Sequence, residues 1–340
     1  MSFDIANIFT PDNALFEKAV VTGHVNSQPY VPEHTSAWFP WNSEGVTSKN
    51  LIIEFNEGSL GIVPEAPRGA PGHVPERDVR SGVPVIVPHF PTQETLLATQ
   101  FEGVRAFGSE LYETVEMERN KLLARINRRN RLMWEVSRIG AITGLVIDHN
   151  GNIRQNWFNA FGKDGVPLVQ TTHDVDFASS NTNIRSELIA ARDKAEEQLG
   201  DLTATGYVAI CGKNRFASIT DHPKFEKAFE RYNDGSALRD DLSGGFLISS
   251  DITVKKYTRA KVGGISLIGD DDMFIVPIAD GMFQTRFAPG TGMSDLGSTG
   301  LPEYVSTHLL PHDEGAEFKG QTNVVSWIER LLAVCKVRQG

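Results

Sequence analysis

The spacing of apolar and polar residues changes several times along this chain, and each change predicts a different element. Over residues 1–50 the apolar positions have no period, and Pro11, Pro29, Pro32 and Pro40 interrupt them. A short helix over 12–20, begun by Pro11 or Asp12, is the one regular element predicted there. The aromatic residues Trp38, Phe39 and Trp41 come near the end of this arm. Large rings favour burial, and an arm this irregular offers no core of its own, so it is expected to lie on something else. Residues 51–63 (LIIEFNEGSLGIV) place the turn signal Asn56-Glu57-Gly58 between two short apolar runs, which predicts a hairpin. The next stretch is rich in Pro and Gly and strand-like only at VPVIVPHF. The whole of 50–91 therefore reads as extended, with little apolar material to bury it. A lone two-stranded element is marginal in water, and long structureless loops are uncommon in compact domains. This stretch is expected to lean on another chain; the alternative is a mobile surface loop.

Residues 92–143 carry the strongest helical signal. Thr92 is placed to cap, with Glu94 in the first turn, and Phe107-Gly108-Ser109 predicts a break. From Glu110 onward, Leu111, Val115, Leu122, Ile126, Met133 and Val136 fall on one helical stripe. Glu110, Glu113, Glu116 and Glu118 crowd the start, and Arg125, Arg128, Arg129, Arg131 and Arg138 the later turns. That polarity complements the helix dipole. Gly140 and Gly144 are the predicted stop. About thirty residues at 1.5 Å each span ~45 Å. That is long for a compact domain and suits the spine of an elongated molecule.

Further on, 145–153 (LVIDHNGNI) predicts a hairpin turning at Asn150-Gly151. Residues 180–199 predict a helix closed by Gly200, and 205–212 (TGYVAICG) a buried strand. Residues 221–232 predict an amphipathic helix with Asp221 as cap and Pro223 in its first turn. Residues 245–257 alternate like a strand, and 263–277 add the runs ISLI and MFIVP around the acidic turn Asp270-Asp271-Asp272. Residues 323–337 (NVVSWIERLLAVCKV) fit strand or helix on period alone. No internal repeat and no low-complexity tract is present.

The length of 340 residues exceeds one small core and suits two or three subdomains. An apolar share of 40% is ordinary for a folded protein and excludes a disordered chain. The formal charge of −10 disfavours binding of nucleic acid by the surface as a whole. The basic run 125–131 (RINRRNR) is the local exception. It has no interleaved aromatics, and a salt-bridged or solvated face is the simpler reading. Cys211 and Cys335 sit in apolar runs and read as small buried residues, not as a disulfide. No apolar run approaches the ~20 residues that cross a bilayer. The first residues carry acids and no apolar h-region, so a protein that folds and acts in cytoplasm, with no membrane partner, is expected.

Catalytic signatures are missing. Gly162-Lys163 and Gly212-Lys213 lack the rest of a phosphate loop, and neither a G-x-S-x-G nor an S-x-x-K motif occurs. Gly290-Thr291-Gly292 begins a dinucleotide-like pattern, but Asp295 occupies the third glycine position. Pro311 spoils the His308/His312 pair, and Asp270, Asp271 and Asp272 lack calcium-loop spacing, so they read as a solvated turn. Trp134 and Trp157 read as core. No catalytic residue, metal site or cofactor is assigned.

An ordered series of local patterns remains. Val63-Pro64 and Pro67-Arg68-Gly69 lie in the extended stretch, and Glu94, Arg105 and Phe107-Gly108 precede the long helix. Gly140-Ala141, Gly144, Asp148 and Gly151 mark its exit, followed by Phe158 and Phe161-Gly162. His222-Pro223, Leu238-Arg239, Phe246, Phe274-Ile275-Val276-Pro277 and Ala288-Pro289 come next, then Gly300-Leu301-Pro302, Tyr304 and Gln321-Thr322-Asn323. In this order, from about Asn50, the set resembles the lambda-type (E family) major capsid proteins of tailed phages. Ile328-Glu329-Arg330 stands where that family often has an Arg-Pro pair.

The resemblance implies an α+β chain with the Hong Kong-ninety-seven-type phage capsid fold. It implies an N-terminal arm (1–49), an extended loop or β-hairpin (50–91) and a peripheral domain (92–203) with a spine helix over 109–143. An axial domain (204–310) and a C-terminal segment returning to the core (311–340) would follow. The function implied is structural, with no enzyme activity: self-assembly into pentamers and hexamers that form an icosahedral shell around double-stranded DNA. Assembly would take place in the host cytoplasm and the product would be part of the virion. Scaffolding, portal and decoration proteins are the further partners implied. Phe39, Trp41, Pro64, Arg68, Gly69 and Arg77 are the candidate inter-subunit contacts. Three alternatives stand beside this reading: an encapsulin-like nanocompartment shell, a soluble α/β enzyme with a dispersed site, and a ring-forming tail or head-completion protein.

Overall fold

The computed structural model describes residues 22, 34–56, 80–101, 111–163, 165–225, 245–257, 261–262 and 265–340. In chain order the elements begin with helix α1 (His34–Trp38) and strands β1 (Asn42–Gly45), β2 (Asn50–Asn56), β3 (Arg80–Ile86) and β4 (Phe90–Leu97). The long helix α2 (Leu111–Thr143) leads to β5 (Leu145–Ile147), β6 (Ile153–Asn156), the one-turn α3 (Trp157–Ala160) and β7 (Thr172–Val175). Helix α4 (Ile184–Glu197), β8 (Ala204–Cys211), α5 (Lys213–Thr220), β9 (Phe246–Leu247) and β10 (Ile252–Lys256) follow. The chain continues with β11 (Lys261–Val262), β12 (Ile265–Ser266), β13 (Met273–Ala279), β14 (Phe283–Phe287) and β15 (Tyr304–Leu309). It ends with β16 (Gly315–Thr322), β17 (Val324–Ile328) and β18 (Cys335–Gln339).

The largest sheet has six strands in the order β7-β18-β13-β8-β10-β9, with parallel and antiparallel neighbours mixed. Its central strands are covered on both faces, which explains their unbroken apolar runs. Tyr207, Ala209 and Cys211 of β8 face the core under α4 and α5. Val208 and Ile210 face a second core with Ile139 and Ile142 of α2. Helix α4 presents Ile184, Leu188, Ala191 and Ala195 to the first core on a single stripe, and Gly200 (φ +67°) closes the segment after it. Cys211 and Cys335 are both buried and free, as their apolar surroundings predicted.

Two three-stranded sheets, β1-β14-β17 and β15-β16-β4, meet α2. Helix α2 has 33 residues, about 50 Å at 1.5 Å per residue. It buries Leu122, Leu123, Ile126, Ile139 and Ile142. Gly320 of β16 lets the sheet come in close: a Cβ there would stand 2.1 Å from Ile126 Cγ2. Gly144 (φ +79°) ends the helix in a conformation that only glycine adopts without strain. The β5–β6 hairpin then turns at Gly151 (φ +83°), with the Asp148 carboxylate accepting the Asn150 and Asn152 N–H groups.

Several expectations need correction. Residues 90–97 form a strand, not the start of the helix. Thr92 and Glu94 pair with Gly320 and Phe318 of β16 and cap nothing. Their alternating burial is period two, which local helix signals outvoted in the sequence. The expected break at 107–109 lies outside the described residues. Gly140 stops nothing either; it is helical and clears Val146, whose Cγ2 would stand 2.7 Å from an added Cβ. The strand that pairs with β2 is β3, Asn56 opposite Arg80, while Glu57 and Gly58 of the expected turn lie outside the described residues. Val83 and Val85 supply the inward face that the run after Gly58 was expected to supply. A helix forms earlier than predicted, over Lys213–Thr220, and Asp221 closes it instead of opening the next. Helical backbone resumes at Pro223, while 226–244 lie outside the described residues, as does the short helix expected at 12–20. Residues 245–257 form two short strands around a turn. The 323–337 ambiguity resolves as strand, β17 and the start of β18.

Candidate assembly surfaces

The described part of the arm folds back on its own subunit. Helix α1 lies beside α2, where the buried Thr35 hydroxyl donates to Glu135. Arg138 of α2 donates to the hydroxyls of Ser36 and Ser43 and stands 5.3 Å over the Trp41 ring. Phe39 is 2% exposed and stacks on Phe283 at 4.9 Å. Trp41 meets Phe283 edge-on at 5.2 Å, and its indole N–H donates to the Thr35 carbonyl at 3.2 Å. Strand β1 continues the contact by pairing in parallel with β14. Farther back, the Thr22 hydroxyl donates to the Val305 carbonyl and accepts the Val305 N–H. The expectation that the arm's rings are completed by another chain is therefore corrected for Phe39. Its partners are the sheet and spine helix of its own subunit. Trp41 is half-buried and borders a cavity of about 410 Å³ with Pro40, Trp134, Arg138 and Pro302.

Pro64, Arg68, Gly69 and Arg77 lie outside the described residues. What is described is the stem that carries them. Its inward side, Leu51, Ile53, Val83 and Val85, packs on Trp157, Trp327 and their neighbours. Its outward side has Pro84 opposite Ile52, and Ile86 one step along. Ile52 is 64% and Ile86 72% exposed. Sequence reasoning missed these two, although the signal was present. Three consecutive apolar residues, Leu51-Ile52-Ile53, cannot all face one side of a strand.

Electrostatics concentrates on α2. Glu94 of β4 pairs with both Arg125, at 3.3 Å, and Arg129. Glu303, at the entry to β15, is buried against α2. It accepts from Asn130 Nδ2 at 3.0 Å, with Arg131 Nε 4.0 Å away. Burial pushes its carboxyl up to about 7, against the smaller opposing effects of Asn130 and Arg131. The acidic turn at Asp270–Asp272 takes a structural role: its carbonyls accept the N–H groups of Gly212, Asn214 and Arg215. Among the described residues, no group of three or more His, Cys, Asp or Glu is placed to hold a metal ion. No described helix is long and apolar enough to cross a membrane.

A long helix, a two-stranded stem with exposed isoleucines and a mixed six-stranded sheet make up the frame. The model of the family described as phage major capsid protein E matches residues 17–339. The chain belongs to that family. It is thus a major capsid protein, a structural component of a phage head. The major capsid protein of Pseudomonas phage KPP10 is 23% identical over 304 residues, covering 82% of this chain and 84% of the relative. Among solved structures, the putative capsid protein of an E. coli CFT073 prophage aligns with a TM-score of 0.54 at 13% identity, over 98% of this chain and 97% of that one. The mature capsid of bacteriophage PhiM1 aligns with a TM-score of 0.52 at 11% identity, over 92% and 89%. These likenesses establish the α+β Hong Kong-ninety-seven-type capsid fold. The family match favours neither the nanocompartment nor the enzyme alternative.

Proposed function

We propose that copies of this capsid protein form pentamers and hexamers, and that these close an icosahedral shell around the double-stranded DNA of a tailed phage. Assembly would take place in the host cytoplasm. The observation that carries this reading is the β2–β3 stem, whose outward face leaves Ile52 and Ile86 uncovered by their own chain. A two-stranded ribbon with apolar residues on both faces is incomplete in an isolated subunit. Each isoleucine is already about a third covered, so covering the rest is worth ~1–2 kcal/mol, and a closed shell repeats that gain at every subunit through head-to-tail contacts. The loop beyond the stem, with Pro64, Arg68, Gly69 and Arg77, is proposed to follow it onto the neighbour, and the open edge of Trp41 to add a second contact. On this reading 1–49 is the arm, 50–91 the loop, 92–203 the peripheral domain, 204–310 the axial domain and 311–340 the returning segment. Scaffolding, portal and decoration proteins are its further partners.

The test is electron microscopy of the expressed protein, alone and with a scaffolding protein. The double variant Ile52→Glu/Ile86→Glu should keep the circular dichroism spectrum and melting temperature of the subunit yet form no shells. Normal shells from that variant would overturn the reading.

A further inference from the structure

The exposed face of α2 carries Lys121, Arg125, Arg128 and Arg129, and their spacing of four, seven and eight residues puts them in one row. All four side chains are solvent-exposed. Among the described residues two carboxylates answer them: Glu118 pairs with Lys121 at 2.6 Å, and Glu94 is shared by Arg125 and Arg129. Arg128 has no ion pair among the described residues. Four cations against two carboxylates leave this row about +2, on a chain whose formal charge is −10. The sharing at Glu94 has a second effect. Glu94 is anchored in β4, opposite Phe318, and its side chain is only 16% exposed. It holds two long arginines side by side on the helix face while neutralising the charge of only one. Each guanidinium has five N–H donors, so one shared carboxylate leaves donors unused.

We infer that this row is the surface by which the capsid protein meets duplex DNA, through phosphate contacts without base readout. The row spans ~12 Å at 1.5 Å per residue. A duplex presents a charge about every 1.7 Å of axis, hence about seven phosphates along that length. Arginine matches phosphate with paired N–H donors. An acidic protein partner would also be attracted, but a protein interface needs a buried apolar centre. Here the exposed apolar residues, Met117 and Leu132, stand only at the two ends of the row. The inference deepens the shell reading by naming the surface that would face its DNA.

The test uses full-length unassembled subunits and a fluorescein-labelled random-sequence duplex, titrated over a range of salt. Affinity should fall linearly on a log–log plot against salt, with about 0.9 of slope per phosphate neutralised. Arg125→Gln/Arg128→Gln/Arg129→Gln should lose about two to three units of that slope and bind at least tenfold more weakly at low salt. Glu94→Gln should bind several-fold more tightly, because it removes negative charge from the row. Unchanged binding by the triple variant, or no gain from Glu94→Gln, overturns the inference. Competition by polyglutamate equal to that of DNA per charge also overturns it, in favour of an acidic protein partner. Circular dichroism confirms that the variants fold, and electron microscopy scores their shells. Normal shells with unaltered DNA affinity sink only this inference, whereas a wild-type chain that never forms shells sinks the assembly reading.

Discussion

Replacing Phe39 by alanine asks which subunit the arm belongs to. The ring is 2% exposed, stacked on Phe283 at 4.9 Å, in a core with Ile139, Ile142 and Met282. Truncating a buried phenylalanine costs about 3–5 kcal/mol through lost transfer energy and the cavity left behind. Unfolding entropy is about 2.1 cal/mol/K per residue near 60 °C. For 340 residues that is ~0.7 kcal/mol/K. A loss of ~4 kcal/mol therefore lowers the melting temperature by ~6 °C. The assay is thermal unfolding of unassembled subunits, followed by near-ultraviolet circular dichroism, with shell formation scored separately by electron microscopy. The structure requires the subunit itself to be weakened. An unchanged melting temperature together with abolished shells would show that Phe39 packs on a neighbour and would refute the packing described here.

Three further outcomes are expected. Glu303 titrates at about 7 in the fold against an ordinary 4.5, so the folded state keeps a proton that the unfolded chain releases, and stability falls as pH rises between those values. At ~1.4 kcal/mol per unit, the loss across that window approaches ~3.5 kcal/mol. Glu303→Gln should flatten that dependence and raise the urea midpoint at pH 8, less a contribution from Arg131; identical pH profiles for the two proteins would count against it. Cys211 and Cys335 are fully buried with thiols pushed up by desolvation, Cys335 to about 11. Neither should react with a thiol reagent until the chain is denatured, and prompt labelling of the folded subunit would contradict their placement. Gly144→Ala forces a side chain into φ +79° with Phe158 Cε2 2.2 Å from the new Cβ. A loss of ~2–4 kcal/mol is expected from backbone strain and overpacking, and a change below ~1 kcal/mol would show that the helix exit is not as described.

How legible the chain was depends on where each element finds its partner. The spine helix was readable through to its last residue, Thr143, because its apolar stripe and charge polarity are local. The turn at Asn150-Gly151 and the strand at 204–211 were readable for the same reason. Residues 90–97 were not, since their capping signals are local while the strand that captures them, β16, lies more than two hundred residues away. Shorter separations hid the partner of β2, which lies across the loop in β3, and let the tail read either way until β13 and β14 paired with it. Among the candidate contacts, Phe39 shows the limit most clearly. Its need for burial was evident from residue type, but nothing in the sequence says whose surface provides it.

The periods, the turn residues, the acidic balance and the ordered patterns that resemble the family are all legible in the order of the amino acids. The periods and turns are set within a few neighbouring positions, whereas the charge and the order of the patterns are read by running along the chain, and none of these needs a distance in space. That Phe39 packs on Phe283, that Ile52 and Ile86 face outward, and that Glu94 gathers two arginines of the spine helix emerges only in the folded chain. Burial and ion pairing depend on atoms brought together from far apart in the chain, and their energies exist only once the backbone has closed those distances.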